Sequence, residues 1–277
     1  MLHLALGEDP SFTFDGAFFL HSMFQPSSLF LQGLARTVYI SVLAQALGIV
    51  FGLGLELCRR SRFRALRWLA GTYVWLVRGT PLLVQLVLVY NGLAATNLYR
   101  FEDWTIGSVV ILGVVQAAIV TLAANEAAYM AEIIRAALDA IDVGQAEAAK
   151  ALGMTPSMTM RLVLLPQAAK IVVPPLGNEF NLMMKSTSLV SVIGLQEMFL
   201  TAQSINSATF KTFEIFLTVA AYYLALTTVW AFVQRWIERK MGTPITTVPR
   251  GGTWRDRLLG ERRRPAAVIT QHAGSPE

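Results

Sequence analysis

Asp142-Val143-Gly144-Gln145-Ala146-Glu147-Ala148-Ala149-Lys150-Ala151-Leu152-Gly153-Met154-Thr155-Pro156 opens a stretch that runs on to Val163, Leu165 and Pro166. Its four alanines and Leu152 favour helix, and their small side chains let another protein surface come close. Gly153 can take the left-handed conformation that ends a helix. Thr155 then supplies an N-cap and Pro156 a first-turn proline for a second helix. Residues 142–160 therefore read as helix, sharp turn, helix. Pro166, Pro174 and Pro175 are expected to break the chain beyond them.

The segments around this elbow place it in a membrane protein. The chain has 277 residues, 54% of them hydrophobic and only 15% charged, with a mean hydropathy of +0.50. That is too apolar and too charge-poor for an ordinary soluble domain. A spanning helix needs about 20 mostly apolar residues, because lipid offers a bare backbone no hydrogen-bond partner. Windows 37–57, 80–99, 106–125, 171–200 and 213–234 meet that requirement or nearly so. The fold class is all-α, a polytopic helical membrane protein of about five transmembrane helices.

Lys and Arg in short loops set orientation. Arg59, Arg60, Arg62, Arg64 and Arg67 follow the first window, and Arg235, Arg239 and Lys240 follow the last. Both ends are expected inside, the N-terminus outside and the 142–160 elbow cytoplasmic. The net charge of +5 follows this inside bias and no nucleic-acid partner is expected. Residues 1–28, rich in Phe among polar neighbours, read as an outer interfacial segment, with the first helix serving as its own insertion signal. Residues 29–240 form the membrane domain. Residues 241–277, rich in Gly, Pro, Thr and Arg, read as a basic disordered cytoplasmic tail.

Several chemistries are absent from the sequence. Cys58 is the single cysteine, and His3, His21 and His272 lie far apart, so no metal site and no catalytic site are expected. No Gly-rich loop ends in Gly-Lys-Ser or Gly-Lys-Thr, so the chain carries no P-loop. Energy must come from another subunit, and five helices without an inverted repeat are few for alternating access.

The spacing of Glu147, Ala148, Ala149, Gly153, Val163, Leu165 and Pro166 resembles the "EAA" signature of permease subunits in binding-protein-dependent ABC importers. Gln32-Gly33-Leu34-Ala35-Arg36-Thr37, Arg78-Gly79-Thr80-Pro81, residues 127–135, Gly177-Asn178-Glu179-Phe180 and Lys185-Ser186-Thr187-Ser188-Leu189 narrow the resemblance to permeases for polar amino acids. It covers residues 28–240. It implies an ABC transporter type-1 transmembrane domain in the bacterial inner (plasma) membrane whose elbow is a coupling helix seated on a separate ATPase. Implied partners are a second permease subunit, identical or paralogous, two ABC ATPase subunits that bind the ATP, and an extracytoplasmic solute-binding protein. The chain itself needs no cofactor and is not an enzyme.

Polar residues inside the windows are candidates for the substrate path. Asn178, Asn181 and Lys185 fall at i, i+3 and i+7 and form one stripe on a helix. Lys185, or the Ser186, Thr187 and Ser188 run after it, is expected beside the path, with Gln85 and Asn91 contributing from the second window. Interhelical hydrogen bonds are the competing use of that stripe. Glu126 departs from the small or polar neutral residue of many relatives, and Ser186 from their acidic or amide residue. A carboxylate there can meet substrate, form an ion pair or act as a gate. The other reading of the chain, an ion-coupled secondary carrier or channel subunit, would use Glu126, Glu179 and Lys185 to conduct ions and leaves the Ala-rich elbow unexplained.

Overall fold

A computed structural model describes residues 14–107 and 109–242. The expectations for the basic tail from 243 onward and for residues 1–13 of the outer segment lie outside the described residues. The described chain is almost wholly helical. Helix α1 (Gly16–Phe24) precedes α2 (Ser28–Arg59), which starts where the Ser27 hydroxyl accepts the Phe30 N–H at 3.2 Å. Amphipathic α3 (Arg64–Arg78) leads to α4 (Leu82–Val87), which continues through a π turn (Leu88–Gly92) into α5 (Leu93–Ala95).

A small antiparallel hairpin of β1 (Trp104–Ile106) and β2 (Val109–Ile111) precedes α6 (Gly113–Asp139). Helix α7 (Val143–Ala151) and α8 (Pro156–Met158) form the elbow. A π turn (Thr159–Leu164) carries α8 into α9 (Leu165–Ser186). A 3-10 segment (Thr187–Ile193), α10 (Met198–Thr209) and α11 (Thr212–Met241) complete the fold.

Three helices, α2, α6 and α11, are long and apolar enough to cross a membrane, and α3 with α4–α5 makes a fourth only as a pair bent by 108°. Three of the five windows, 37–57, 106–125 and 213–234, fall on these three helices. Window 171–200 is not one helix: α9 stops at Ser186, and Gly194 at φ 84° turns the chain toward α10. Window 106–125 begins with the hairpin, whose β-branched residues pair across strands before α6 starts. Residues 64–78 form α3, its arginine-rich start obscuring an apolar face of Ala70, Val74 and Val77. Trp68 and Trp75 on its other face are 69% and 74% exposed, as a helix lying against lipid would present them.

The prolines do not break the chain either. Pro166 sits in the first turn of α9, just after a π turn whose last bond runs from the Leu165 N–H to the Met160 carbonyl. That wider turn leaves room for the ring, which would otherwise strike the carbonyl four residues back. Pro174 and Pro175 lie inside α9 and each leaves the carbonyl four residues back, of Lys170 and Ile171, without its helix donor; α11 packs alongside, Gln234 Nε2 reaching the Pro174 carbonyl at 3.3 Å and Trp230 Nε1 the Gly177 carbonyl at 2.8 Å.

Helix α6 is the axis of the bundle. Two thirds (67%) of its apolar window is buried, against 33% in α2 and 17% in α11. Alanines 117, 118, 123, 127, 128 and 131 give it a narrow profile. Gly48 and Gly52 of α2 answer with no side chain at all: a methyl at either would stand 2.4 Å from Glu126 Cγ or Met130 Cβ. This one-turn spacing of small residues permits close crossing where lipid gives helices no hydrophobic reason to associate. Helix α1 is tied to α11 by the Asp15 N–H on Glu214 at 2.7 Å and the Lys211–Asp15 ion pair at 3.1 Å. The Phe18 N–H, and after it Lys211, hold the Asp15 carboxyl below the usual carboxylate range.

Candidate functional site: a docking elbow and a polar pocket

The elbow is built as its residues dictate. The Asp142 carboxylate caps α7 by accepting the Gly144 N–H at 2.7 Å. Gly153, at φ 79°, closes it: the Gly153 N–H bonds the Lys150 carbonyl at 2.9 Å and the Met154 N–H the Ala149 carbonyl at 3.1 Å. That pair of bonds is a Schellman stop, which needs a left-handed residue at its turn. The Thr155 hydroxyl then accepts the Met158 N–H at 3.3 Å, with Pro156 in the first turn of α8.

Ala149 is buried and Ala148 exposed. Ala149 is 4% exposed and turned into the protein's own elbow, so its small size serves internal packing. Glu147 and Ala148 lie on the outer face with Val143 and Leu152, which are 71% and 83% exposed. Among the described residues the Glu147 carboxylate makes no hydrogen bond or ion pair. Val163 and Leu165 are half-buried and Pro166 is exposed. Gln167 Nε2 bridges the Gln145 side chain at 3.2 Å and the Val163 carbonyl at 3.0 Å, fastening α7 to α9. Beneath it Ala168 packs with Ile134, Ala137 and Leu138 of α6, alongside Leu53 of α2. An apolar-edged outer face thus sits directly on the two helices that bear the polar pocket.

A charged ladder joins the same end of α2, α3 and α6. Arg59 meets Glu132 at 2.6 Å, and Arg60 meets Glu56 at 2.6 Å and Asp139 at 2.5 Å. Arg135 bridges Glu132 at 2.9 Å and Asp139 at 3.2 Å, and Arg78 reaches Glu132 at 3.8 Å.

Above the ladder lies a cavity of about 480 Å³ whose polar wall is Arg78, Thr80, Asn125, Glu126, Tyr129, Glu179 and Ser186. Glu126 is 4% exposed, and its Oε1 accepts from Gln45 Nε2 at 2.9 Å. The Arg78 guanidinium lies 5.4 Å over the Tyr129 ring. Of the residues picked from sequence, Glu126 and Ser186 reach this wall. Asn178, Asn181 and Lys185 do not: α9 presents Glu179, Leu182 and Ser186, one residue further round, while Asn178 and Lys185 are exposed on another face.

Thr187 and Ser188 use their hydroxyls on the Met184 and Lys185 carbonyls at 2.7 and 2.8 Å. Asn91 lies exposed in the π turn. Gln85 holds the α3–α4 bend, donating to the Val77 carbonyl at 2.7 Å and to the Thr80 hydroxyl at 2.8 Å while accepting from Asn125 at 3.0 Å. Arg78, Asn125 and Tyr129 were missed as lining residues. The adjacent polar pair Asn125-Glu126 in an otherwise apolar helix was the available signal.

The family model for "binding-protein-dependent transport system inner membrane component" matches residues 47–243. The chain belongs to that family. It is therefore an inner-membrane permease subunit of a binding-protein-dependent ABC transporter, and the ATPase is a separate subunit. Membership gives no support to the ion-coupled carrier. This permease is 37% identical to the arginine transport system permease protein ArtQ of Bacillus subtilis over 211 residues, 76% of this chain and 91% of the relative. It is 37% identical to the glutamine transport system permease protein GlnP of Escherichia coli K12 over 214 residues, 77% and 93% of the two chains. Among solved structures it resembles an amino acid ABC transporter crystallised with histidines, at 40% identity and TM-score 0.71, covering 82% of this chain and 99% of that one. The methionine transporter MetNI, at 20% identity and TM-score 0.64, shares the fold.

Proposed function

We propose that this chain is the translocation subunit of an ATP-driven importer of polar amino acids, in which the outer face of α7 docks on the ATPase. The observation that carries this reading is the elbow: an exposed Val143–Leu152 face on a rigid, capped helix pinned by Gln167 to α9 and packed on α6. The permease relatives named for arginine and glutamine support the substrate class. The elbow faces the cytoplasm, on the side where the arginines of residues 59–67 collect.

The cavity between Arg78, Glu126 and Glu179 is a stage on the substrate path. Pushing α7 shifts α9 and α6, and with them the Glu179 and Glu126 walls of that cavity. The transporter contains two permease subunits and two ATPase subunits, with a solute-binding protein outside. The exposed Asn178 and Lys185 of α9 support the second permease subunit, since a polar stripe at membrane depth is covered by protein rather than lipid. Neither ATP nor any other cofactor binds this chain.

Proteoliposomes holding the complete complex test the reading: uptake of a radiolabelled polar amino acid should require internal ATP and external binding protein. Uptake that ignores ATP and collapses with a protonophore would overturn it.

A further inference from the structure

We propose that the groove between α2, α3 and α6 binds one acyl chain of an anionic phospholipid of the inner leaflet, with the arginines that follow α2 holding its phosphate. This goes beyond the import function and uses only the orientation given above. The groove has a volume of about 560 Å³ and shares no residue with the polar cavity. Leu47, Gly54 and Cys58 of α2, Tyr73 of α3, and Val120 and Ala124 of α6 line it. The one hydroxyl among its lining residues is already used, since Tyr73 OH donates to the Ala124 carbonyl at 2.7 Å. A β-carbon at Gly54 would meet nothing within 4 Å, so α2 leaves the floor open there. From Leu47 to Cys58 the groove runs about 16 Å along α2 at the helical rise, close to the depth of one leaflet in a hydrocarbon core of about 30 Å.

Charge at the inner end of the groove decides the occupant. Beyond Cys58 the chain turns through Arg62 into α3, whose first turn carries Arg64 and Arg67. All three are exposed and, among the described residues, form no ion pair, whereas Arg59 and Arg60 are engaged by Glu132, Glu56 and Asp139. An apolar floor that ends at unpaired guanidiniums matches an amphiphile with one anionic end. Guanidinium groups take phosphate oxygens in bidentate pairs, and basic clusters just inside a spanning helix attract anionic lipid. A second copy of this chain matches less well. Related by an axis along the membrane normal, it would bring its own three arginines to the same depth and set like charges together.

The test is photolabelling of the purified permease–ATPase complex in phosphatidylcholine nanodiscs. Two probes are compared at equal trace amounts, phosphatidylglycerol and phosphatidylcholine, each with a diazirine in one acyl chain, and the labelled residues are mapped by mass spectrometry. Phosphatidylglycerol should label residues 47–58 and 120–127 about fivefold or more over phosphatidylcholine, the effect of one surface arginine on an anionic lipid. The two probes should label the exposed Leu224, Val229 and Phe232 of α11 alike. Equal labelling of the groove by both probes overturns the inference, and so does a groove that neither probe reaches, because protein then covers it. Gly54→Leu fills the floor and should remove the groove label while sparing that on α11; a groove label that persists overturns the site. Replacing Arg62, Arg64 and Arg67 together by Gln should bring phosphatidylglycerol down to the level of phosphatidylcholine, and an undiminished preference overturns the role of the arginines. If either variant fails to assemble, the wild-type comparison of the two probes decides. No transport is read, so a complex that labels as expected but imports nothing overturns the proposed function alone.

Discussion

Gly48 of α2 and Glu126 of α6 approach so closely that a β-carbon at position 48 would stand 2.4 Å from Glu126 Cγ and 2.6 Å from its Cβ. One missing side chain on α2 thereby fixes a carboxylate on the cavity wall. The same contact surface continues a turn later at Gly52 against Met130, and ends before Gly54, which faces open space.

Those glycines predict opposite outcomes within one helix. Gly52→Ala should destabilise the solubilised protein by about 1–3 kcal/mol, the usual range for overpacking. Gly54→Ala should be neutral or stabilise by up to about 1 kcal/mol through helix propensity. Thermal unfolding followed by fluorescence size-exclusion separates them. A shared loss would mean that α2 and α6 do not cross where the structure puts them.

Glu197 is fully buried and accepts from the Leu200 N–H at 2.8 Å, the Phe199 N–H at 2.9 Å, Thr37 Oγ1 at 3.3 Å and Tyr223 OH at 3.4 Å. Glu197→Ala strands two amide donors at the start of α10, at a cost of about 1–3 kcal/mol each. The variant should lose expression or melt well below wild type. Glu197→Gln retains acceptor capacity and should be milder; equal damage from both would point to charge rather than capping.

Gln85→Leu should destabilise the α3–α4 bend by about 1–3 kcal/mol, because the Val77 carbonyl loses its closer side-chain donor and Asn125 its acceptor. The accompanying readout is substrate affinity, since Thr80 and Asn125 also line the cavity. Unchanged melting and unchanged affinity together would remove Gln85 from the bend.

These cases show what the sequence made legible. The elbow was legible down to Gly153 and Thr155, because caps and left-handed turns are local chemistry written into adjacent residues. Apolarity located α2, α6 and α11 for the same reason. What escaped was set by neighbours. Pro174 and Pro175 lie within a helix that α11 braces from 53 and 60 residues away, and the arginines at the start of α3 hid its apolar face. The cavity wall takes Glu179 and Ser186 from α9 rather than Asn178, Asn181 and Lys185, because periodicity gives a face but not the direction in which that face points. The hydrogen bonds of Gln85 across the 108° bend come from residues that sequence spacing does not bring together.

Gly153→Val should strain the elbow by about 1–2 kcal/mol, since φ 79° suits glycine and least of all a β-branched residue. Nothing lies within 4 Å of an added Cβ, so the effect is on backbone geometry alone. The variant should insert normally and unfold near the wild-type temperature, yet import several-fold more slowly with ATP hydrolysis less coupled to substrate. Import at the wild-type rate would show that the angle between α7 and α8 does not matter.

The claim that α7 receives work from the ATPase is tested most directly by a photo-crosslinker at Leu152, 83% exposed on the outer face of the elbow, in the assembled, transport-competent complex. The predicted result is a crosslink to the ATPase subunit whose yield changes between the ATP-bound and nucleotide-free states, with no such product from the same probe at Trp75 on α3. A functional complex in which Leu152 never crosslinks to the ATPase would contradict it.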